Sequence, residues 1–356
     1  MASEPSIVTV NLSPSSRYET IDVRERVQER VGDLLEQHDR TLYCSMHTTA
    51  GYLDHSVASR LRHRHERLGH FVDAFRALFP ADGGYEHDQL ERRDDLTDEQ
   101  RVVEPRNADS HLTFIGSGMR NCVTYRNEPT KPVYFIELDG VNEGTVRQRT
   151  TRVVAYDEER TVDRFTVDVP VSRHAVDSIN LATAHTGLIE TANERAKALG
   201  VEVGRIDIAL PRDERHVGLT VNEFETLLMQ HDLREVLRDP LRFAKDKSRH
   251  FFEDPLSVPF KTLDYARYDL VHVFNSLMHA FHIEESAVER LLVRLISVPA
   301  RRLLRIRRSV SFVVCPETRG DVGRVARGTY QSPILLQWGP SLGQVRRVEV
   351  SLVRFR

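Results

Sequence analysis

Three histidines stand in short polar contexts that could carry chemistry: His47 in MHTTAG, His87 in GYEHDQ and His111 in NADSHL. Each lies beside Gly, Asp, Ser or Thr, which make tight turns and supply hydrogen bonds behind a metal ligand. Three imidazoles with one open coordination position make a catalytic zinc site, where the metal acidifies water or polarises an oxyanion. Separations of 40 and 24 residues are not a local ligand signature. Spacing alone therefore leaves two readings open in a chain with 16 histidines: metal ligands, or histidines that simply fall in loops.

Hydrophobic periodicity predicts the elements that must position these residues. Val27, Val31, Leu34 and Leu35 follow the spacing of an amphipathic helix, and TLYCSMH reads as a strand delivering His47. A second helix carries Val57, Leu61, Leu68, Val72, Phe75 and Phe79 on one face and stops at Pro80, Asp82, Gly83 and Gly84. Residues 85–107 read as a polar loop with or without a short helix. NADSHLTFIGSG is helical or irregular, and KPVYFIELDG and TTRVVAY are strands. Strands interleaved with helices of unequal length, without βαβ regularity, predict an α+β fold.

The pattern then begins again. DRFTVDVPVS is extended, DSINLATAHTGLIETANERAKALG reads as a helix, GRIDIALP as a strand and VNEFETLLMQHDLREVLRD as a helix. SVSFVVC, SPILLQW and VRRVEVSLVRF close the chain as strands. This order predicts two tandem domains, residues 1–160 and 161–356. Each is a mixed or antiparallel sheet packed with helices, and the second carries a helical insertion at about 240–300.

Composition excludes several classes. The net charge is -3, with 40% hydrophobic and 29% charged residues, so nucleic acid and membrane surfaces are not expected partners. Cys44, Cys122 and Cys315 are isolated, which argues against a disulfide framework. No basic leader precedes an apolar run and no apolar stretch approaches about 18 residues, so a cytoplasmic location is expected. There is no Walker loop, convincing G-x-G-x-x-G or serine elbow.

Taken together and in order, HTTAG, GYEHD, NADSHL with its following GSG, and VYFIELDG resemble the YjbQ-like family, also called the secondary thiamine-phosphate synthase family. The resemblance covers essentially all of residues 1–157. It implies His47, His87 and His111 as ligands of a divalent metal, zinc by expectation. It places Glu137 and Asp88 in the chemistry, and Thr48, Thr49, Gly116 and Ser117 in the ligand pocket. It further implies a homo-oligomer, an anionic small-molecule substrate and a metal-dependent, thiamine-phosphate-synthase-like reaction.

Two parts of the family pattern are missing from the first half. N-E after the H-T-T-A turn is replaced by DHS, and G-T-W-Q by EPTK, with Lys131 where the glutamine would stand. Both reappear later. GLTVNEFETLL places Asn222 and Glu223 where N-E belongs, and RGTYQSPILLQW supplies Gly328, Thr329, Tyr330 and Gln331. The second half in turn reads RDERHVG where H-T-T-A should stand. Either a spare copy has decayed, or the halves share one site in which Asn222, Glu223, Thr329 and Gln331 complete the histidine set. Two functions follow: a metal-dependent enzyme acting on a phosphorylated or anionic small molecule, or a non-catalytic metal-binding, ligand-binding or assembly protein. Weaker candidates are His272, His279 and His282 on one helix face, and the basic run RRLLRIRR at 301–308.

Overall fold

The computed structural model describes residues 4–142, 144–183, 185–238, 304–317, 321–339 and 341–356. The expected insertion at 240–300, with His272, His279 and His282, and the first three residues of the basic run lie outside the described residues. The chain divides into two compact units. A β-rich unit comprises Met1–His55, Gly118–Phe224 and Ile306–Arg356, and a helical unit comprises Ser56–Ser117 and Glu225–Arg305. Both units draw on both halves of the sequence. The fold is α+β.

The first half of the β-rich unit supplies β1 (Ser6–Leu12), β2 (Glu19–Asp22), β3 (Arg40–Ser45), β4 (Ala50–Gly51), β5 (Cys122–Arg126), β6 (Tyr134–Glu137), the hairpin strands β7 (Val141–Asn142) and β8 (Thr145–Val146), and β9 (Arg149–Tyr156). The second half supplies β10 (Glu159–Pro170), β11 (Val176–Asn180), β12 (Gly204–Ala209), β13 (Val217–Asn222), β14 (Ser309–Cys315), β15 (Arg324–Ala326), β16 (Ser332–Trp338) and β17 (Val345–Phe355). One half builds sheets in the order β1-β9-β3-β5 and β2-β6-β4. The other builds β10-β17-β12-β14-β15 and β11-β16-β13. Apart from the extra edge strand β15, the two orders are the same, and the pairings are antiparallel.

The larger sheets of the two halves share one apolar layer. Leu42, Cys44, Cys122, Val154 and Tyr156 pack with Val313, Cys315, Val353 and Phe355. The Tyr156 and Phe355 rings stack at 3.8 Å between centroids. A strand covered on both faces reads as a near-continuous buried run rather than an alternating one. β3 does so: every residue after Arg40 is buried. On its other face Tyr43 meets the rings of Tyr52 and Tyr125.

Among the described residues the α-helices are α1 (Val23–Val31), α2 (His55–Arg60), α3 (His65–Leu78), α4 (Asp98–Val103), α5 (Ala108–Ser117), α6 (Leu188–Ala198) and α7 (Leu233–Arg238). Asp22 caps α1 by accepting the N–H groups of Arg24 and Glu25, so the residues before the helix are free to pair as β2. Two expected helices are corrected. The one expected from Val57 to Phe79 breaks into α2 and α3, with Arg62 and His63 in left-handed geometry (φ 56 and 51). Between Leu61 and Leu68 no apolar side chain is available to tie that turn to a core. The helix expected from Asp177 begins only at Leu188, because 176–180 pairs with β16 as β11. In the helical unit α3 packs on α5, and Phe71, Phe75, Leu112 and Ile115 of these helices are buried. Among the described residues no helix is long and apolar enough to cross a membrane.

Candidate functional site

β3 ends at Ser45, and the chain turns through Met46–Thr49 into β4. Ser45 Oγ donates to the Ala50 carbonyl at 2.7 Å and accepts the His47 N–H at 3.2 Å, which closes the turn. The imidazole of His47 reaches the start of β9. Its Nε2 accepts the backbone N–H of Thr150 at 2.7 Å, while its Nδ1 lies 3.5 Å from Arg149 Nη1. Accepting at Nε2 puts the ring proton on Nδ1, facing a guanidinium. Burial first, and the Arg149 charge second, push the His47 pKa down to about 3, so the ring is neutral.

Arg149 is pinned by its surroundings. Nε and Nη2 make a two-point pair with Glu137 at 2.5 and 2.8 Å. Nη2 also donates to Thr49 Oγ1 and to the Asp139 carbonyl, each at 3.1 Å. Glu137 is 1% exposed. Burial raises its pKa, opposed by the bonds from Arg149 and from the Asp139 N–H. The strand-end glutamate is thus the counter-ion of a buried arginine.

The second half repeats this arrangement with the carboxylate moved. Ala50 and Gly51 pair with Glu137 and Ile136, and Val217 and Gly218 pair with Gln337 and Leu336. Counting back three residues from Ala50 and from Val217 makes His47 the counterpart of Glu214, as Glu137 is of Gln337. Glu214 accepts the Arg347 N–H at 2.8 Å and Arg346 Nη1 at 2.9 Å, the two groups equivalent to those facing His47. Gln337 Oε1 accepts Arg346 Nε at 3.1 Å, as Glu137 accepts Arg149 Nε. Arg346 Nη2 donates to the Gly339 carbonyl, as Arg149 Nη2 does to that of Asp139. Each arginine has one carboxylate and one neutral partner, in exchanged positions.

Asn222 and Gln331 of the second half reach the first half's turn. Asn222 Nδ2 donates to the Thr48 carbonyl at 3.0 Å. Gln331 Nε2 bridges the carbonyls of Ser45 (3.0 Å) and His47 (2.8 Å), and its Oε1 accepts the Gly328 N–H. A Cβ at Gly328 would run into the Met46 carbonyl, so only glycine permits this approach. Thr48 and Thr49 are buried in the turn, whereas Thr329 is exposed and Glu223 half-buried. Glu223 donates its N–H to Asn222 Oδ1.

His87 and His111 belong to the helical unit, with ring centroids 5.3 Å apart and exposures of 1% and 2%. Asp88 Oδ1 is 2.9 Å from His87 Nδ1 and also accepts the Ala108 N–H at the start of α5. His87 Nε2 lies 3.4 Å from Arg93 Nη1. Asp232 fixes the loop by accepting the N–H groups of Glu86 and His87. Gly116 sits against the Phe79 ring, and Ser117 Oγ turns back to the Phe114 carbonyl, so both serve α5 packing.

Two of the three imidazoles already face other groups of the chain. A ligating imidazole offers a lone pair to the metal. That of His47 receives a backbone N–H, and that of His87 faces a guanidinium. Among the described residues no group of three or more His, Cys, Asp or Glu side chains is arranged to hold a metal ion.

Arg149, Arg346 and Glu214 escaped the sequence reading. Their signal was an arginine opening the last strand of each half, in RTTRVVAY and RRVEVSLVRF, with a polar residue three positions before β4 or β13.

No family model matches the chain, and no curated protein matches it. Among solved structures, it is similar to a YbjQ-like protein of unknown function from Sulfolobus solfataricus. That match has 14% identity over 55% of this chain and 99% of the other, with a TM-score of 0.28. It is also similar to a hypothetical protein from Aeropyrum pernix at 14% identity, over 54% of this chain and 98% of the other, TM-score 0.27. An uncharacterized YjbQ/UPF0047 family protein from Clostridium acetobutylicum is similar at 15% identity, over 54% and 99%, TM-score 0.26.

Proposed function

We propose that this chain is a fusion of two YjbQ-like copies, residues 1–160 and 161–356, that acts as a non-catalytic ligand-binding or assembly protein. In this reading the H-T-T-A turn of the first copy is a structural joint. The observation that carries it is the employment of His47: Nε2 takes the Thr150 N–H, Nδ1 lies against Arg149, and in the second half Glu214 meets the equivalent groups of Arg347 and Arg346. A histidine whose contacts a glutamate reproduces is holding backbone. The repeated strand order supports the fusion.

The catalytic alternative is a zinc-dependent, thiamine-phosphate-synthase-like enzyme acting on a phosphorylated or anionic small molecule. It would need Glu137, Asp88, Glu223 and Gln331 in the chemistry. Glu137 is committed to Arg149, and the Gln331 amide is committed to two carbonyls. Asp88 holds His87 and the first N–H of α5.

Metal analysis of the purified full chain decides between the readings. The expected result is no stoichiometric divalent metal in wild type, and lower stability without a change in metal content in His47→Gln. About one metal per chain, lost in both His47→Gln and His111→Gln, overturns the proposal.

A further inference from the structure

The ring of His87 is set up as a metal-binding histidine usually is. A carboxylate, Asp88, stands behind Nδ1 at 2.9 Å, which holds the proton there and leaves Nε2 as the acceptor. What faces that acceptor is a cation belonging to the chain itself, Arg93 Nη1 at 3.4 Å. The same Nη1 donates to Glu104 Oε1 at 2.8 Å. Asp95 takes Nε and Nη2 at 3.3 and 2.7 Å, and Glu225 Oε1 lies 3.9 Å from Nε. Arg93 is 1% exposed.

We infer that the Arg93 guanidinium is the resident cation of this histidine–carboxylate cluster, occupying the position on His87 Nε2 that a divalent metal would take and so excluding one. The chemistry favours a permanent occupant. A guanidinium does not lose its proton, and its planar fork can serve a carboxylate and a second acceptor together. Burial pulls the Arg93 pKa down, but the bond to Asp95 and the charges of Glu104 and Glu225 outweigh it and hold the pKa above the ordinary value. A metal arriving at His87 would have to displace a charge that three carboxylates already neutralise. Removing the arginine leaves the His87 acceptor and the acids that surrounded the guanidinium without their cation. This inference is independent of the role given to His47.

The test is zinc uptake by the full-length chain, measured as metal per chain after desalting and as the change in Tm on adding zinc. Wild type is expected to retain fewer than about one zinc per ten chains and to show no zinc-dependent rise in Tm. Arg93→Met, purified or refolded with zinc present, is expected to take up about one zinc per chain, and to lose it when His87→Gln is added. Stoichiometric zinc on wild type that His87→Gln abolishes overturns the inference. So does an Arg93→Met protein that folds and takes up none. The wild-type measurement decides by itself if Arg93→Met does not fold, because an unplugged site would bind zinc without the substitution.

Discussion

His47 and Glu214 occupy equivalent positions before β4 and β13, and each receives the backbone N–H that follows a buried arginine, from Thr150 and Arg347 respectively. The same arginines, Arg149 and Arg346, present Nη1 to the two side chains. One half thus uses a neutral imidazole with a carboxylate at Glu137, and the other a carboxylate with a neutral amide at Gln337. The total charge beside each arginine is conserved while its location changes. This joint ties the start of the last strand of each half to the turn that leads into β4 or β13.

The joint sets a pH dependence. The folded-state pKa of His47, about 3, lies below the roughly 6.5 of an unfolded histidine. A depressed pKa contributes stability that is fully present above about 6.5 and lost as the pH falls toward 3. Denaturation midpoints should therefore drop across that window, and His47→Gln, which keeps an acceptor but cannot be protonated, should flatten the drop. An equally steep loss in His47→Gln would assign the effect elsewhere.

Gln331 should matter for stability although it lies in the other half of the sequence. Its amide holds two carbonyls of the 45–47 turn, and Gln331→Ala leaves both without that donor, at a cost of about 1–3 kcal/mol. Gly328→Ala should cost at least as much, since the new methyl meets the Met46 carbonyl. Urea titration gives the size, and hydrogen exchange at 45–50 should quicken in both variants. Wild-type exchange in that turn would contradict the bracing role.

The three cysteines should be silent in the native state. Cys44, Cys122 and Cys315 are buried in the layer shared by the two larger sheets. Burial raises the thiol pKa of Cys122 and of Cys315, the latter despite Arg152 beside it. Buried thiols kept protonated are poor nucleophiles. A thiol reagent should label none of them in native protein and all after unfolding; fast native labelling of any one would show that the layer opens.

Much of this was legible in the sequence, for physical reasons. Long strands such as GRIDIA and SVSFVVC announce themselves by their apolar content. The fragments N-E and G-T-Y-Q were expected either to complete the histidine set or to be remnants of a decayed copy; in the structure Asn222 and Gln331 donate to carbonyls of the 45–48 turn. The short strands β2, β4 and β11 were not legible, because two to five residues carry too little periodicity. Glu214 was hidden for another reason. Its equivalence to His47 lies in register and hydrogen bonds, and a motif search sees only that the histidine is gone. The motif in turn suggested a ligand, while the lone pair of His47 is taken by a backbone N–H.

The most direct test is a double-mutant cycle on His47 and Glu137, with stability read by urea denaturation. Glu137→Gln alone strands the buried Arg149 charge and should cost about 3 kcal/mol. Adding His47→Glu recreates the arrangement of Glu214 and Gln337 and should recover at least half of that loss, a coupling well above about 0.5 kcal/mol. Additive losses, with the double variant less stable than either single one, would contradict the account.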